Sequence, residues 1–145
     1  MGDQTIGEML RRYAAAVRAK DVDRFVELYA RDVRVFDMWD RWSYDGAEAW
    51  RAMAVDWFGS LGDEQVAVEF EDVRTVVGDR IAVAHAFVIY RGLGADGTEL
   101  RSMTNRLTWG LQRTADGGWE VVHEHSSAPA AFDTGKVRLE RPGAE

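Results

Sequence analysis

Two periodicities divide this chain. Over its first part the apolar positions recur at helical spacing, and from Val66 onward they alternate. Ile6, Met9, Leu10, Tyr13, Ala14 and Val17 form one stripe of an amphipathic helix over about residues 4–19. Asp21 stands where it can cap a second helix carrying Val22, Phe25, Val26 and Tyr29. In the short strand that follows, Val33, Val35 and Asp37 share a face opposite Phe36 and Met38. A third helix after Gly46 turns Ala47, Trp50, Met53, Ala54, Trp57 and Phe58 inward, and Gly59 and Gly62 close it. Then Val66, Val68 and Phe70 alternate with Ala67, Glu69 and Glu71, and a slip near Asp72 predicts a bulge. After a tight turn at Gly78-Asp79, residues Ile81 to Tyr90 are apolar on both rows, which predicts a strand covered on both sides. One row is large (Ile81, Val83, Phe87, Ile89, with His85). The other is small through Ala82, Ala84 and Ala86, then Val88 and Tyr90.

The last two strands read as a long hairpin, about Thr98 to Arg113 and Trp119 to Ala128, with Ala115-Asp116-Gly117-Gly118 as the turn and Pro129 as the stop. Regular pairing from Arg113 opposite Trp119 puts Trp109 opposite His123, Thr108 opposite Glu124 and Arg106 opposite Ser126. One face then carries Thr104, Arg106, Thr108, Val122, Glu124 and Ser126. The other carries Met103, Leu107, Trp109, Leu111, Trp119, Val121, His123 and His125.

Three helices around a short strand, followed by four long antiparallel strands, define an α+β class with the helices on one face of a curved sheet. At 145 residues and 46% hydrophobic the chain has the material for one well-filled core. Residues 1–128 are expected to be that domain and 129–145 a partly ordered tail anchored by Val137 and Leu139. The net charge of −7 argues against nucleic acid or an anionic membrane as partner. With no cysteine there is neither disulfide nor thiol chemistry. No stretch has the apolar length of a membrane span, and the start lacks a secretory pattern, so a cytoplasmic location is the expectation. The sheet face away from the helices needs cover, and Leu107, Trp109, Trp119 and Val121 make it too apolar for water, which leads to the expectation of a homodimer through the sheet.

The order helix–helix–strand–helix–sheet, ending in Trp119-Glu-Val-Val-His-Glu-His-Ser-Ser-Ala-Pro129, resembles the SnoaL-like branch of the nuclear transport factor 2-like superfamily. The ending His123-Glu124-His125-Ser126-Ser127-Ala128-Pro129 is also similar to that of the calcium/calmodulin-dependent kinase II association domain. Over Tyr13 to Asp37 the chain resembles ketosteroid isomerase, with Leu10-Arg11-Arg12-Tyr13 and Val35-Phe36-Asp37 at the matching places. The resemblance implies a cystatin-like cone of three helices on a curved sheet. It also implies a tyrosine (Tyr13) that donates to a developing oxyanion and an aspartate (Asp37) that moves a proton. The isomerase's further acid, on the strand that opens the final hairpin, has no counterpart among the expected pocket residues, where Arg106 is the nearest. Following the family, the Arg106/Glu124 face is expected to be the concave one.

Asp37 ends a core-facing row beside Phe36, Trp39 and Trp42, and poor solvation raises a carboxyl pKa toward the range useful for proton transfer. Tyr13 lies on an apolar stripe, where its hydroxyl needs a partner. Arg106 and Glu124, diagonal across the strand pair, form either a structural salt bridge or an anchor for a ligand carboxylate or enolate. Trp57, Tyr90 and Ser126 complete the candidate ligand contacts, with Trp57 at the pocket mouth. His123 and His125 point the same way but lack an evident third metal ligand. No metal or organic cofactor is expected. These residues suggest a pocket for a small carbonyl or carboxylate compound, with cofactor-independent isomerase, cyclase or dehydratase chemistry in polyketide-like or other specialised metabolism. The alternative is a non-catalytic small-anion-binding or oligomerisation domain.

Overall fold

A computed structural model describes residues 5–142. Helix α1 (Ile6–Ala19) starts where the Thr5 hydroxyl accepts the Glu8 amide at 3.1 Å. It ends at Lys20 in the left-handed conformation, φ 55°. Residue 4, where the periodicity begins the helix, lies outside the described residues. Asp21 caps α2 (Val22–Val26) as its sequence position suggests, accepting the Arg24 amide at 3.1 Å. Tyr29, expected on that helix, instead opens strand β1 (Tyr29–Phe36). The chain leaves the helix there because the Leu28 carbonyl is taken by the Val121 amide at 2.9 Å, a sheet bond that outcompetes another helical turn. A two-residue strand β2 (Tyr44–Asp45) leads into α3 (Ala47–Ser60), whose Trp50, Ala54 and Phe58 are buried.

Strands β3 (Gln65–Val77), β4 (Ile81–Leu93), β5 (Glu99–Arg113) and β6 (Trp119–Ser127) form an antiparallel run. The sheet order is β2-β1-β6-β5-β4-β3, with β1 parallel to β6. The register of β3 against β4 shifts between Glu71 and Arg74, with Asp72 at φ 52°, so the slip in alternation is a bulge. On β4 the row Ala82, Ala84, Ala86 and Val88 is buried. Ile81 and Val83 on the other row are 59% and 41% exposed, so this chain does not cover that side as the apolar pattern suggested.

The final hairpin departs from regular pairing at one residue. Arg113, Gln112 and Leu111 face Trp119, Glu120 and Val121, but Gly110 then faces His123, and Val122 is left without a partner. From there every side chain of β6 changes face. Trp109 lies opposite Glu124, Leu107 opposite Ser126, and Arg106 opposite Ser127. Glu124 and Ser126 therefore join the buried row of Leu107, Trp109, Leu111 and Val121 under the helices, so the apolar row expected to meet a second copy is covered by this chain's own helices. Arg106 is exposed on the convex side, so the expected concave Arg106/Glu124 face is not formed. Apolar burial explains the outcome, since placing Trp109 and its row outward would forfeit about 1.5–3 kcal/mol for each large side chain.

The segment after Pro129 folds back. Ala130 bridges Val137, and the Thr104 amide donates to the Leu139 carbonyl at 2.7 Å, beside β5 where β6 has ended. Leu139 is the firmer of the two expected anchors, as Val137 remains exposed. Arg141 stacks 3.7 Å above the Phe87 ring. Residues 143–145 of the expected tail lie outside the described ones. Among the described residues no helix is long and apolar enough to cross a membrane.

Candidate functional site

A cavity of about 770 Å³ opens between α3 and the concave face of the sheet. That is within the ordinary range for small-molecule sites. Tyr13, Asp37, Trp57, Tyr90, Glu124 and Ser126, all singled out in the sequence, line it. Arg106 does not; its Nε donates to Ser127 Oγ at 3.1 Å on the outer face.

Asp37 is the first residue past β1, continuing the inward row of Val33 and Val35. The parallel partner β6 brings Ser126 alongside, and Ser126 Oγ donates to Asp37 Oδ1 at 3.1 Å while accepting the Met38 amide at 3.1 Å. The Trp39 amide donates to Oδ2 at 3.3 Å. Burial raises the carboxyl above its ordinary pKa of 3.8, while Ser126 and the Trp39 and Met38 amides pull it down. Asp37 is thus a half-buried carboxyl on the cavity wall.

Glu124 lies deeper, only 2% exposed. Its Oε1 accepts both the Tyr29 hydroxyl at 2.5 Å and the Trp109 indole N–H at 2.8 Å. Burial pushes its pKa up from 4.5 to about 7 against these two donors, and the nearby Asp37 charge pushes the same way. The expected pairing with Arg106 is absent because the bulge puts the two on opposite faces. Among the described residues the carboxyl has neutral donors alone and no cation bonded to it.

The Tyr13 and Tyr90 hydroxyls meet at 2.9 Å, one from α1 and one from β4. Burial raises both phenols above 10.0, so both stay protonated and act as hydrogen-bond donors. On β5, Asn105 is buried and faces the cavity, next to the expected Arg106. Its Nδ2 donates weakly to Met38 Sδ at 3.5 Å, and its buried Oδ1 has no partner among the described residues. Trp57 closes one wall, its ring 6.2 Å from that of Tyr90. Arg41, also lining the cavity, stacks over Tyr44 at 5.3 Å. Arg101 lines it too, but is bound to Glu64.

Tyr29, Trp109, Asn105 and Arg41 were not among the residues singled out. Trp109 had a signal, because its apolar row was the natural one to lie under the helices. Tyr29 had none, since its stripe read as helix. His123 and His125 point outward, stacked edge-on against Phe36, and His123 Nδ1 donates to the Arg34 carbonyl at 2.7 Å. Among the described residues no three His, Cys, Asp or Glu side chains gather as a metal site.

A curved sheet wrapped on helices, with polar groups converging in the cavity between them, defines the cone-shaped α+β pocket proteins of the nuclear transport factor 2-like class. The SnoaL-like domain model matches residues 6–131, and the chain belongs to that family. Among solved structures it is similar to an NTF2-like protein of unknown function from Pseudomonas putida. The two share 27% identity and a TM-score of 0.82, over 94% of this chain and 93% of that one. An NTF2-like protein with a cystatin-like fold from Novosphingobium aromaticivorans is 21% identical with a TM-score of 0.70, over 88% and 79% of the two chains. Aln2 from a Streptomyces species is 16% identical with a TM-score of 0.73, over 83% and 85%. No curated protein matches the chain.

Proposed function

We propose that this chain is a cofactor-independent enzyme that moves a proton next to the carbonyl of a small organic molecule, as isomerases, cyclases and dehydratases of specialised metabolism do. The observation that carries this reading is the convergence of a half-buried carboxyl, Asp37, and a buried phenol pair, Tyr13 and Tyr90, on one cavity. Asp37 is the base. Its raised pKa brings its basicity closer to that needed for abstraction near neutral pH. The Tyr13–Tyr90 pair, with the Asn105 amide beside it, donates to the carbonyl oxygen as negative charge develops there. Arg41 at the cavity wall takes the anchoring role first expected of Arg106. The exposed outer-face side chains Ile81 and Val83 support a homodimer through the sheet.

The test is deuterium wash-in from heavy water into a panel of ketones and β-keto acids, comparing the parent with Asp37→Asn. The expected result is exchange in the parent and a loss of about a hundredfold or more in the variant. Equal exchange in both proteins rejects catalysis and leaves the non-catalytic binding role.

A further inference from the structure

Of the carboxyl groups that line the cavity, Asp40 and Asp56 are exposed whereas Asp37 and Glu124 are not, and the surroundings of these two are unlike. Asp37 has donors on both oxygens, Ser126 Oγ on Oδ1 and the Trp39 amide on Oδ2. Glu124 receives both of its donors on Oε1, and no hydrogen bond reaches Oε2 among the described residues. The titratable groups around Glu124 are Tyr13 from α1, Tyr29 from β1, Tyr90 from β4 and Asp37 just past β1, none of them a cation. Trp109 from β5 adds a neutral donor. Like charges sharing a cavity separate into one ionised and one protonated group, and the better-solvated, amide-bonded Asp37 is the one that keeps the charge.

Building on the proton-transfer reading above, we infer that Glu124 is the acid of an elimination. Asp37 takes the α-proton of a β-hydroxy carbonyl compound, and Glu124 gives its proton to the departing β-hydroxyl. The electron pair of the α C–H bond becomes the new carbon–carbon double bond. The C–O bond breaks with its pair, and the oxygen leaves as water carrying the proton from Glu124. Asp37 is then neutral and Glu124 anionic, and solvent returns a proton from one to the other before the next turnover. No oxidant, reductant or cofactor is needed. The buried phenols hydrogen-bond the carbonyl oxygen but hold their protons too firmly to protonate a leaving hydroxide. A carboxyl with a pKa of about 7 releases its proton readily near neutrality.

Two probes separate this step from simple proton exchange. Benzylacetone has exchangeable α-positions and no leaving group, whereas its β-hydroxy derivative loses water to a conjugated enone that is followed by absorbance. The parent is expected to exchange the first and dehydrate the second, with dehydration falling as pH rises through about 7. In Glu124→Gln the ratio of dehydration to exchange is expected to fall about a hundredfold. The amide oxygen can still accept from Tyr29 and Trp109, and the urea midpoint followed by tryptophan fluorescence reports that the variant is folded. A parent that exchanges benzylacetone but does not dehydrate its derivative, or an unchanged ratio in Glu124→Gln, overturns the inference and leaves the proton-transfer reading standing. A parent that exchanges nothing overturns that reading, and this inference falls with it.

Discussion

Glu124 makes folding stability depend on pH in an unusual direction for a carboxylate. In the unfolded chain its carboxyl titrates near the ordinary 4.5, whereas in the folded protein burial holds it at about 7. Below about pH 4 both states carry the proton and the group contributes no difference. Between those values the folded state binds more protons than the unfolded one, so stability falls as pH rises. Above about pH 7 the loss is complete. A rise from 4.5 to about 7, at about 1.4 kcal/mol for each factor of ten in proton affinity, amounts to about 3 kcal/mol. Glutamine has the same shape and no proton to lose. Glu124→Gln is therefore expected to lie within about 1 kcal/mol of the parent at about pH 4 and to exceed it by about 2–3 kcal/mol at about pH 8. Asp37, also raised, titrates in both proteins and enters the difference only through its charge on Glu124. Urea unfolding followed by tryptophan fluorescence across this pH range measures the effect, at fixed protein concentration because self-association shifts the midpoint. Parallel stability curves for the two proteins, or a variant less stable than the parent at about pH 8, would refute the reasoning.

Arg106→Ala is expected to leave ligand affinity and α-proton exchange within about twofold of the parent, because the side chain sits on the convex face bonded to Ser127. A tenfold loss in either assay counts against that placement. Ser126→Ala removes the hydroxyl that joins the Met38 amide to Asp37, costs about 1–2 kcal/mol, and raises the Asp37 pKa further. The acidic limb of the exchange profile then moves to higher pH, and an unmoved limb contradicts the assigned hydrogen bond. On the outer face, Ile81→Asp with Val83→Asp is expected to give a monomer in sedimentation where the parent is a dimer. A parent that is itself monomeric at micromolar concentration removes the homodimer.

The helices, the cap at Asp21, the bulge near Asp72 and the inward placement of Tyr13, Asp37 and Trp57 follow from periodicities and cap residues within a few positions of each other. Such patterns are local, and a single chain displays them directly. The face on which Glu124 and Ser126 emerge was decided elsewhere. It turns on one unpaired residue, Val122, and an unpaired residue is a property of two strands in register. Nothing in the alternation of β6 alone distinguishes the two registers. The choice is made by the need to bury Leu107 and Trp109 beneath the helices, and it sends Arg106 to solvent and Asn105 to the cavity. Tyr29 likewise reaches Glu124 from 95 residues away only because β1 lies parallel to β6. The amino-acid pattern by itself determined an α+β arrangement, helices on one face of a curved sheet, with an acid at the end of its first strand. The tertiary structure decided which groups that acid meets, because side-chain direction in a sheet reverses with every residue gained or lost in the pairing.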